Sequence, residues 1–506
     1  MGLYDLSFYD LINRNAVAYG NEPCWHDVDD NRQIRFAEYK QLIERLAAGF
    51  AHVGVKKGDR VGIVGKNSLN FFLVYGAAAA LGAVVLPINW RLSADEMCFN
   101  LNDCGPKIIF VDQEFQPSLE TKRAELPSVQ SYYNLKADQG SFSSFSSLMD
   151  TSGSLPSEDV NSSDGFVIIH TAAVAGRPRG ALLSHGNLLC ANMHFNAAFG
   201  LTSRDVHLNL LPLFHVGGLF MATSAFHAGA LNLNMSKFDA QTASKLIQER
   251  RVSLFFDFPP ILDSVLKAAA EAGSDLSSLR AVIGLGTPEV IENYQAVTKG
   301  NYYVMYGQTE TSCLVSIGKY DDRPGSAGKV ILLADVRLVD DHDQIAAPEA
   351  VGEITIKGPM VFLGYWGLPD DTDFAFRNGW HHTGDLGRFD SDGYLFYAGR
   401  KAEKELIKPG GENVYPAEVE KVILQHPAVA QTVVIGVPDP KWKEGIKAVC
   451  LLHEGEELTA GELIRFVGER IASFKKPQYV EFVDLLPTAK DGSVDRAAVK
   501  EQFGKT

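Results

Sequence analysis

The stretch Tyr302-Tyr-Val-Met-Tyr306-Gly307-Gln308-Thr309-Glu310-Thr311 decides the architecture. Its apolar and aromatic first half reads as a buried strand, and a carboxylate flanked by two hydroxyls follows directly. In layered α/β proteins ligands bind at that carboxyl end of a strand. Further short apolar runs occur upstream: Arg60–Val64, Lys107–Val111, Gly165–His170, Ser253–Asp257 and Ala281–Gly284. Amphipathic stretches such as Tyr39–His52 and Ala240–Arg250 lie among them. The alternation predicts an α/β fold with largely parallel sheets over about residues 34–330.

The pattern changes from Gly328 to Ala398, where VRLVDD, GEITIKG and GDLGRFDSDGYLFYAGR read as a small β-rich subdomain with a hairpin turn at Asp392-Gly393. After Gly399-Arg400 a charged segment, KAEKELIK, leads into a compact α+β tail. This divides the chain into residues 1–399 and 400–506, with a hinge near Lys401. Residues 137–163 are serine-rich and predict a surface loop. The run Phe71 to Ile88 is just long enough to span a bilayer. Its glycines and proline favour a buried helix to Leu81, a break at Gly82 and a strand Val84–Leu86 ended by Pro87.

The 506 residues are 46% hydrophobic and 22% charged, a composition that suits a soluble protein of more than one domain. A net charge of −15 argues against nucleic acid or an anionic membrane as partner. The six cysteines are scattered without a CxxC, as expected of reduced thiols in a cytoplasmic protein. No signal peptide is read at the N-terminus and no retention address in the final FGKT.

Several segments carry chemistry. Thr171-Ala-Ala-Val-Ala-Gly176-Arg-Pro-Arg179-Gly180 follows a strand and brings backbone N–H groups and two guanidinium forks, which suits phosphate oxygens as well as it suits a basic surface turn. Ser184 then reads as a helix N-cap. Thr383-Gly384-Asp385 presents an acid suited to a ribose diol, and Arg400 adds a cation to the same region. Gly410-Gly411 is a turn leading to a helix that starts after Pro416.

The order of these segments resembles the adenylate-forming (ANL) superfamily, and within it the acyl- and aryl-CoA synthetases, from Phe36 to about Lys500. LPLFHVGG (211–218), LRAVIGLGTP (279–288), YGQTET, TGDLG and GGENVYPAEVE carry the likeness. The resemblance implies a large N-terminal domain of two α/β subdomains plus a β-barrel-like subdomain, and a small mobile α+β C-terminal domain. It implies ATP, Mg²⁺ and coenzyme A as cofactors and a small carboxylate as partner. A carboxylate would attack the α-phosphate of ATP to give acyl-AMP and pyrophosphate, and the coenzyme A thiol would then displace AMP. Glu310 would hold the metal and Thr309 would donate to the α-phosphate. Asp385 and Arg400 would grip the ribose, while Tyr306, Gly307, Gln308 and the Leu285-Gly286-Thr287-Pro288 loop would wall the nucleotide. Thr171, Gly176 and Arg179 would belong to the phosphate loop. His215, with Phe220 and Leu285, would line the acyl pocket, although a histidine beside two glycines suits a packed core equally. Lys408, Gly410 and Gly411 would meet coenzyme A.

The chain departs from the family at three places. Hydroxyl residues of the phosphate loop are replaced by Ala172, Val174 and Ala175, and Arg179 stands for a lysine. Ala402 occupies the usual hinge position. Ser493 fills the slot of the lysine that bridges carboxylate and α-phosphate, leaving Lys490, across the Asp491-Gly492 turn, to reach that site or to remain a solvated turn lysine. Three readings follow: an AMP-forming ligase for a fatty or aromatic monocarboxylic acid, an enzyme running mainly the thioester half-reaction or its reverse, and a non-catalytic acyl-nucleotide-binding protein. A carrier-protein adenylation module is disfavoured, since no carrier segment follows residue 506.

Overall fold

The computed structural model describes residues 5–136, 140–150, 153–174, 177–401, 406–488 and 494–505. A nine-stranded sheet runs in space from Lys329–Val330 through Ser316–Lys319, Asn301–Tyr306, Ala281–Gly284, Leu254–Asp257, Val206–Asn209, Leu231–Asn234 and Pro23–Asp27 to Arg32–Arg35. It is parallel from Asn301–Tyr306 to Pro23–Asp27 and antiparallel at both edges. A seven-stranded sheet orders Gly364–Tyr365, Arg177–Ser184, Gly165–Val174, Val84–Ile88, Arg60–Val64, Ile108–Val111 and Ser131–Asn134. Asp335–Val339, Gly352–Lys357, His381–Phe389 and Leu395–Arg400 form a four-stranded antiparallel sheet.

The principal core joins the two large sheets. Every residue of the helix Leu69–Leu81 is buried, as a helix apolar all round must be. Ser68 caps its start and Gly82, at φ +66°, ends it. Phe72 stacks on Trp25 and meets Tyr39, Phe8 and Phe226. Gly76 lets the helix approach Phe36–His52: a Cβ there would lie 2.6 Å from the Tyr39 hydroxyl. Among the described residues no helix is long and apolar enough to cross a membrane.

Two expectations need correction. The strand after Gly82 does not stop before Pro87 but runs Val84–Ile88, with Pro87 in register with Ile63. That strand meets its other neighbour only at Val85, so a residue without an N–H is tolerated. The described part of 137–163 is more than a surface loop: Phe142, Phe145 and Leu148 are buried, and the Leu148 carbonyl fills the space a Cβ on Gly49 would need. The six cysteines are all free and buried.

The C-terminal unit folds around the three-stranded sheet Val429–Asp439, Lys443–Leu452 and Tyr479–Phe482, with the helices Pro416–Ile423 and Ala460–Gly468. Its own core includes Val414, Val419, Ile423, Val434, Ile446, Leu463 and Val467.

Candidate active site

The parallel strand Asn301–Tyr306 delivers Gln308 and the short turn Thr309–Thr311 at its carboxyl end. The Thr311 hydroxyl accepts from Gln308 N at 3.0 Å and fixes the turn. Glu310 is buried, and Tyr365 donates to its Oε1 at 2.8 Å. Burial, with the Glu310 charge beside it, keeps the Tyr365 hydroxyl protonated and therefore a donor. The strand Gly364–Tyr365 pairs with Arg177–Ser184 and so ties Glu310 to the segment expected to hold phosphate. The Arg179 guanidinium lies 4.0 Å from the centre of the Tyr365 ring, and its Nη1 pairs with Asp371 at 2.9 Å. Its Nε is buried without a hydrogen-bond partner among the described residues. Thr171 donates to the Arg179 carbonyl at 3.3 Å across the hairpin.

Asp385 sits on His381–Phe389, in register with Arg400 on the neighbouring strand. Arg400 Nε reaches its Oδ1 at 3.0 Å; Tyr306 and Gln308 donate to Oδ2 at 2.8 and 3.0 Å. Three residues expected at the nucleotide are thus brought onto the carboxylate of a fourth. Behind them Glu353 accepts from Gly384 N, meets His382 Nδ1 at 3.2 Å, and pairs with Arg377 and Lys401. Burial opposes ionisation there, but the bonds from His382, Lys401 and Gly384 hold the carboxyl down at about 2. Asp343, Glu353 and His382 lie close enough to hold a metal, yet Arg377 and Lys401 already supply the positive charge.

The loop after Ala281–Gly284 is set by a buried acid. Gly286 N donates to the Tyr302 hydroxyl at 2.6 Å, and that hydroxyl donates to Asp257 Oδ2 at 3.2 Å. Burial pushes the Asp257 carboxyl up to about 6. Thr287 stands at the N-cap position of the helix Pro288–Thr298 without a side-chain capping bond, and the helix's first residue is exposed. From the C-terminal unit Lys443 reaches the Leu285 carbonyl at 3.3 Å.

His215 is the N-cap of Val216–His227; its Nδ1 accepts from Gly217 N at 3.2 Å and its ring stands edge-on to Phe258. Burial pushes it down to about 4, so the imidazole is neutral. Phe220, further along this helix, is wholly buried in the core. Lys408 leads into the Pro409–Gly411 turn, where Gly410 packs on Trp442 and Gly411 on Phe258. Burial, with Arg400 nearby, lowers Lys408 to about 8. Gly307 has no room for a side chain, because the Cys313 carbonyl is too close. Thr309 is half-buried in its turn. Gly176, Ala402, Lys490 and Ser493 lie outside the described residues.

Sequence reasoning gave no site role to Tyr365, Asp371 or Glu353, and marked Lys401 only as the hinge region. Glu353 lies in the GEITIKG segment and Lys401 beside Arg400; Tyr365 and Asp371 carry no local signal.

An AMP-binding enzyme family model matches residues 12–366, and its C-terminal domain model matches residues 418–492. The chain belongs to this family of adenylate-forming enzymes and groups with the carboxylic acid–CoA ligases. It is 35% identical to the indoleacetate–CoA ligase of Aromatoleum aromaticum over 93% of each chain. It is 31% identical to a long-chain-fatty-acid–CoA ligase of Mycobacterium tuberculosis over 98% of each. A double mutant of the Bacillus subtilis o-succinylbenzoate CoA synthetase, bound to a CoA product analogue, matches at 27% identity and a TM-score of 0.86 over 98% of both chains. The same enzyme with AMP matches at 0.71, again over 98% of both.

Proposed function

We propose that this protein is a cytoplasmic, Mg²⁺-dependent, AMP-forming ligase that joins a fatty or aromatic monocarboxylic acid to coenzyme A. The observation that carries the reading is the pair of buried carboxylates with contrasting partners, Glu310 bonded only by a tyrosine hydroxyl and Asp385 held by Arg400 among the described residues. In the first step a substrate carboxylate oxygen bonds to the α-phosphorus and pyrophosphate leaves. In the second the thiol sulfur bonds to the acyl carbon, AMP leaves, and the thiol proton is released.

The donor set fits a hard cation: Tyr365 occupies one Glu310 oxygen, and no described cation is hydrogen-bonded to the carboxylate. Bound Mg²⁺ supplies positive charge against the triphosphate. Asp385 accepts from the ribose hydroxyls, Thr309 donates to the α-phosphate, and the Leu285–Pro288 loop walls the adenine. The strand Leu395–Arg400 and the bonds of Lys401 to Gly384 O and Glu353 favour a division and pivot beyond Lys401 over the one expected at 399/400. The neutral His215 and Phe258 suit an apolar acyl group, and the relatives named for indoleacetate and long-chain fatty acids bracket the candidates.

A screen of AMP release with ATP, Mg²⁺ and coenzyme A across chain lengths and ring acids tests the reading. AMP formed with at least one such acid is expected; release with none would overturn it. Pyrophosphate is held by Arg179 with backbone N–H groups, so Arg179→Ala binds it more weakly in a titration. The turn Pro409–Gly411 faces the N-terminal unit, which also favours a protein adapted to the thioester half-reaction. Pyrophosphate–ATP exchange by wild type and Lys490→Ala separates the two readings: exchange lost in the variant assigns Lys490 to adenylation, and none in wild type favours the thioester step.

A further inference from the structure

The C-terminal unit is held to the N-terminal one by charged groups that no step above uses. Glu96 is the third residue of the helix Ala94–Cys104, and its Oε2 accepts from Ser93 N and Ser93 Oγ at 2.8 Å each. The same oxygen accepts Ala472 N of the C-terminal unit at 3.2 Å, and Oε1 takes Lys475 Nζ at 2.6 Å. Lys475 Nζ also donates to Glu418 Oε2 at 2.8 Å. Glu418 in turn caps the helix Pro416–Ile423 by accepting Tyr415 N at 3.0 Å. One buried ammonium therefore joins the first turns of two helices, one from each unit. Beside it Arg91 Nη1 and Asn89 Nδ2 donate to the two oxygens of Glu412 at 3.0 and 3.1 Å. Glu412 directly follows the Gly410-Gly411 turn that packs on Phe258.

We infer that Lys475 and Glu96, seconded by Arg91 and Glu412, form a releasable latch that positions the C-terminal unit for the thiol half-reaction; the catalytic part of this rests on the function proposed above. The release is built in. When the units separate, Glu96 keeps its two bonds to Ser93 and Glu418 keeps Tyr415 N, so each carboxylate retains its own helix cap and Lys475 keeps Glu418. Opening therefore leaves neither carboxylate without hydrogen bonds, while closing adds the Lys475 contact to Glu96. The whole chain also fits the double-mutant relative bound to a CoA product analogue better, at a TM-score of 0.86, than the same enzyme bound to AMP, at 0.71.

The test uses the full chain with spin labels at Glu120→Cys and Glu454→Cys, both exposed positions, one in each unit, since the native thiols are buried. Without ligands a single narrow distance is expected, broadened in Lys475→Met and in Glu96→Gln and restored in Lys475→Arg. In the same variants, thioester formation from preformed acyl-AMP falls about tenfold, while pyrophosphate–ATP exchange stays within about twofold. Unchanged distances, or both half-reactions falling together, would overturn the latch. Glu96→Gln keeps the cap geometry and lies on the other unit, so it carries the test if Lys475→Met does not fold. A wild type inactive in both half-reactions would sink the proposed function, while the label distances still decide the latch.

Discussion

Glu310 and Asp385 are both buried acids, and each accepts a 2.8 Å hydrogen bond from a tyrosine. They differ in what happens to the charge. Asp385 has Arg400 on its other oxygen. Near Glu310 the available arginine, Arg179, turns away to Asp371 and only stacks on the intervening Tyr365. A carboxylate that accepts from neutral hydroxyls can be neutralised without losing its use. One that attracts a divalent cation has to stay anionic and uncompensated. On the function proposed above, Asp385 would be the positioning acid and Glu310 the metal-holding one; their partners set them apart where residue type alone does not.

Substitution should break the two sites differently. Asp385→Ala strands Arg400 in the interior, and the loss of unfolding free energy expected is about 3–5 kcal/mol, read by denaturant titration, together with a raised KM for ATP. Glu310→Gln strands no cation: its stability stays near wild type, while adenylate formation, followed by pyrophosphate exchange, falls about 100- to 1,000-fold. A comparable fall in stability would refute the idea that Glu310 is uncompensated.

A third buried acid sharpens the comparison. Asp257 also takes a tyrosine hydroxyl, but burial dominates and raises it from 3.8 to about 6. Its contribution to stability is full below about pH 4 and is lost as pH rises through 6, a decline of about 3 kcal/mol. Asp257→Asn should lack that decline, and unfolding of both proteins at pH 4.5 and pH 7.5 measures the difference. The smallest effect is expected of Tyr365→Phe. It removes one hydrogen bond to the Glu310 carboxylate, worth about 1.5–3 kcal/mol, and should shift the Mg²⁺ concentration for half-maximal exchange with little change in KM for ATP.

Much of the fold was legible because its strands are short apolar runs with sharp ends. Arg60–Val64, Ala281–Gly284 and Ala240–Arg250 stand as the periodicity predicts. Pro87 misled because a proline usually ends a central strand, and only tertiary pairing shows that its N–H is not needed. The serine-rich segment misled because three apolar residues outweigh its composition once they meet the core. In the site, Tyr306, Gln308, Asp385 and Arg400 converge as the motif order led one to expect. Tyr365 and Asp371 were invisible because their roles arise from a two-residue strand paired far from both in sequence. Glu96 and Lys475, 379 residues apart, could only be found by docking one unit on the other.

The buried cysteines bear on selectivity in an unexpected way. An acyl-adenylate reacts with any sulfur anion it meets, and this chain carries six thiols of its own. All are shut away from solvent, and burial holds Cys190 and Cys450 near 11 and Cys313 near 12, far from the thiolate form at neutral pH. Thiols held in the protonated form are poor competitors of the incoming cofactor for an activated acid.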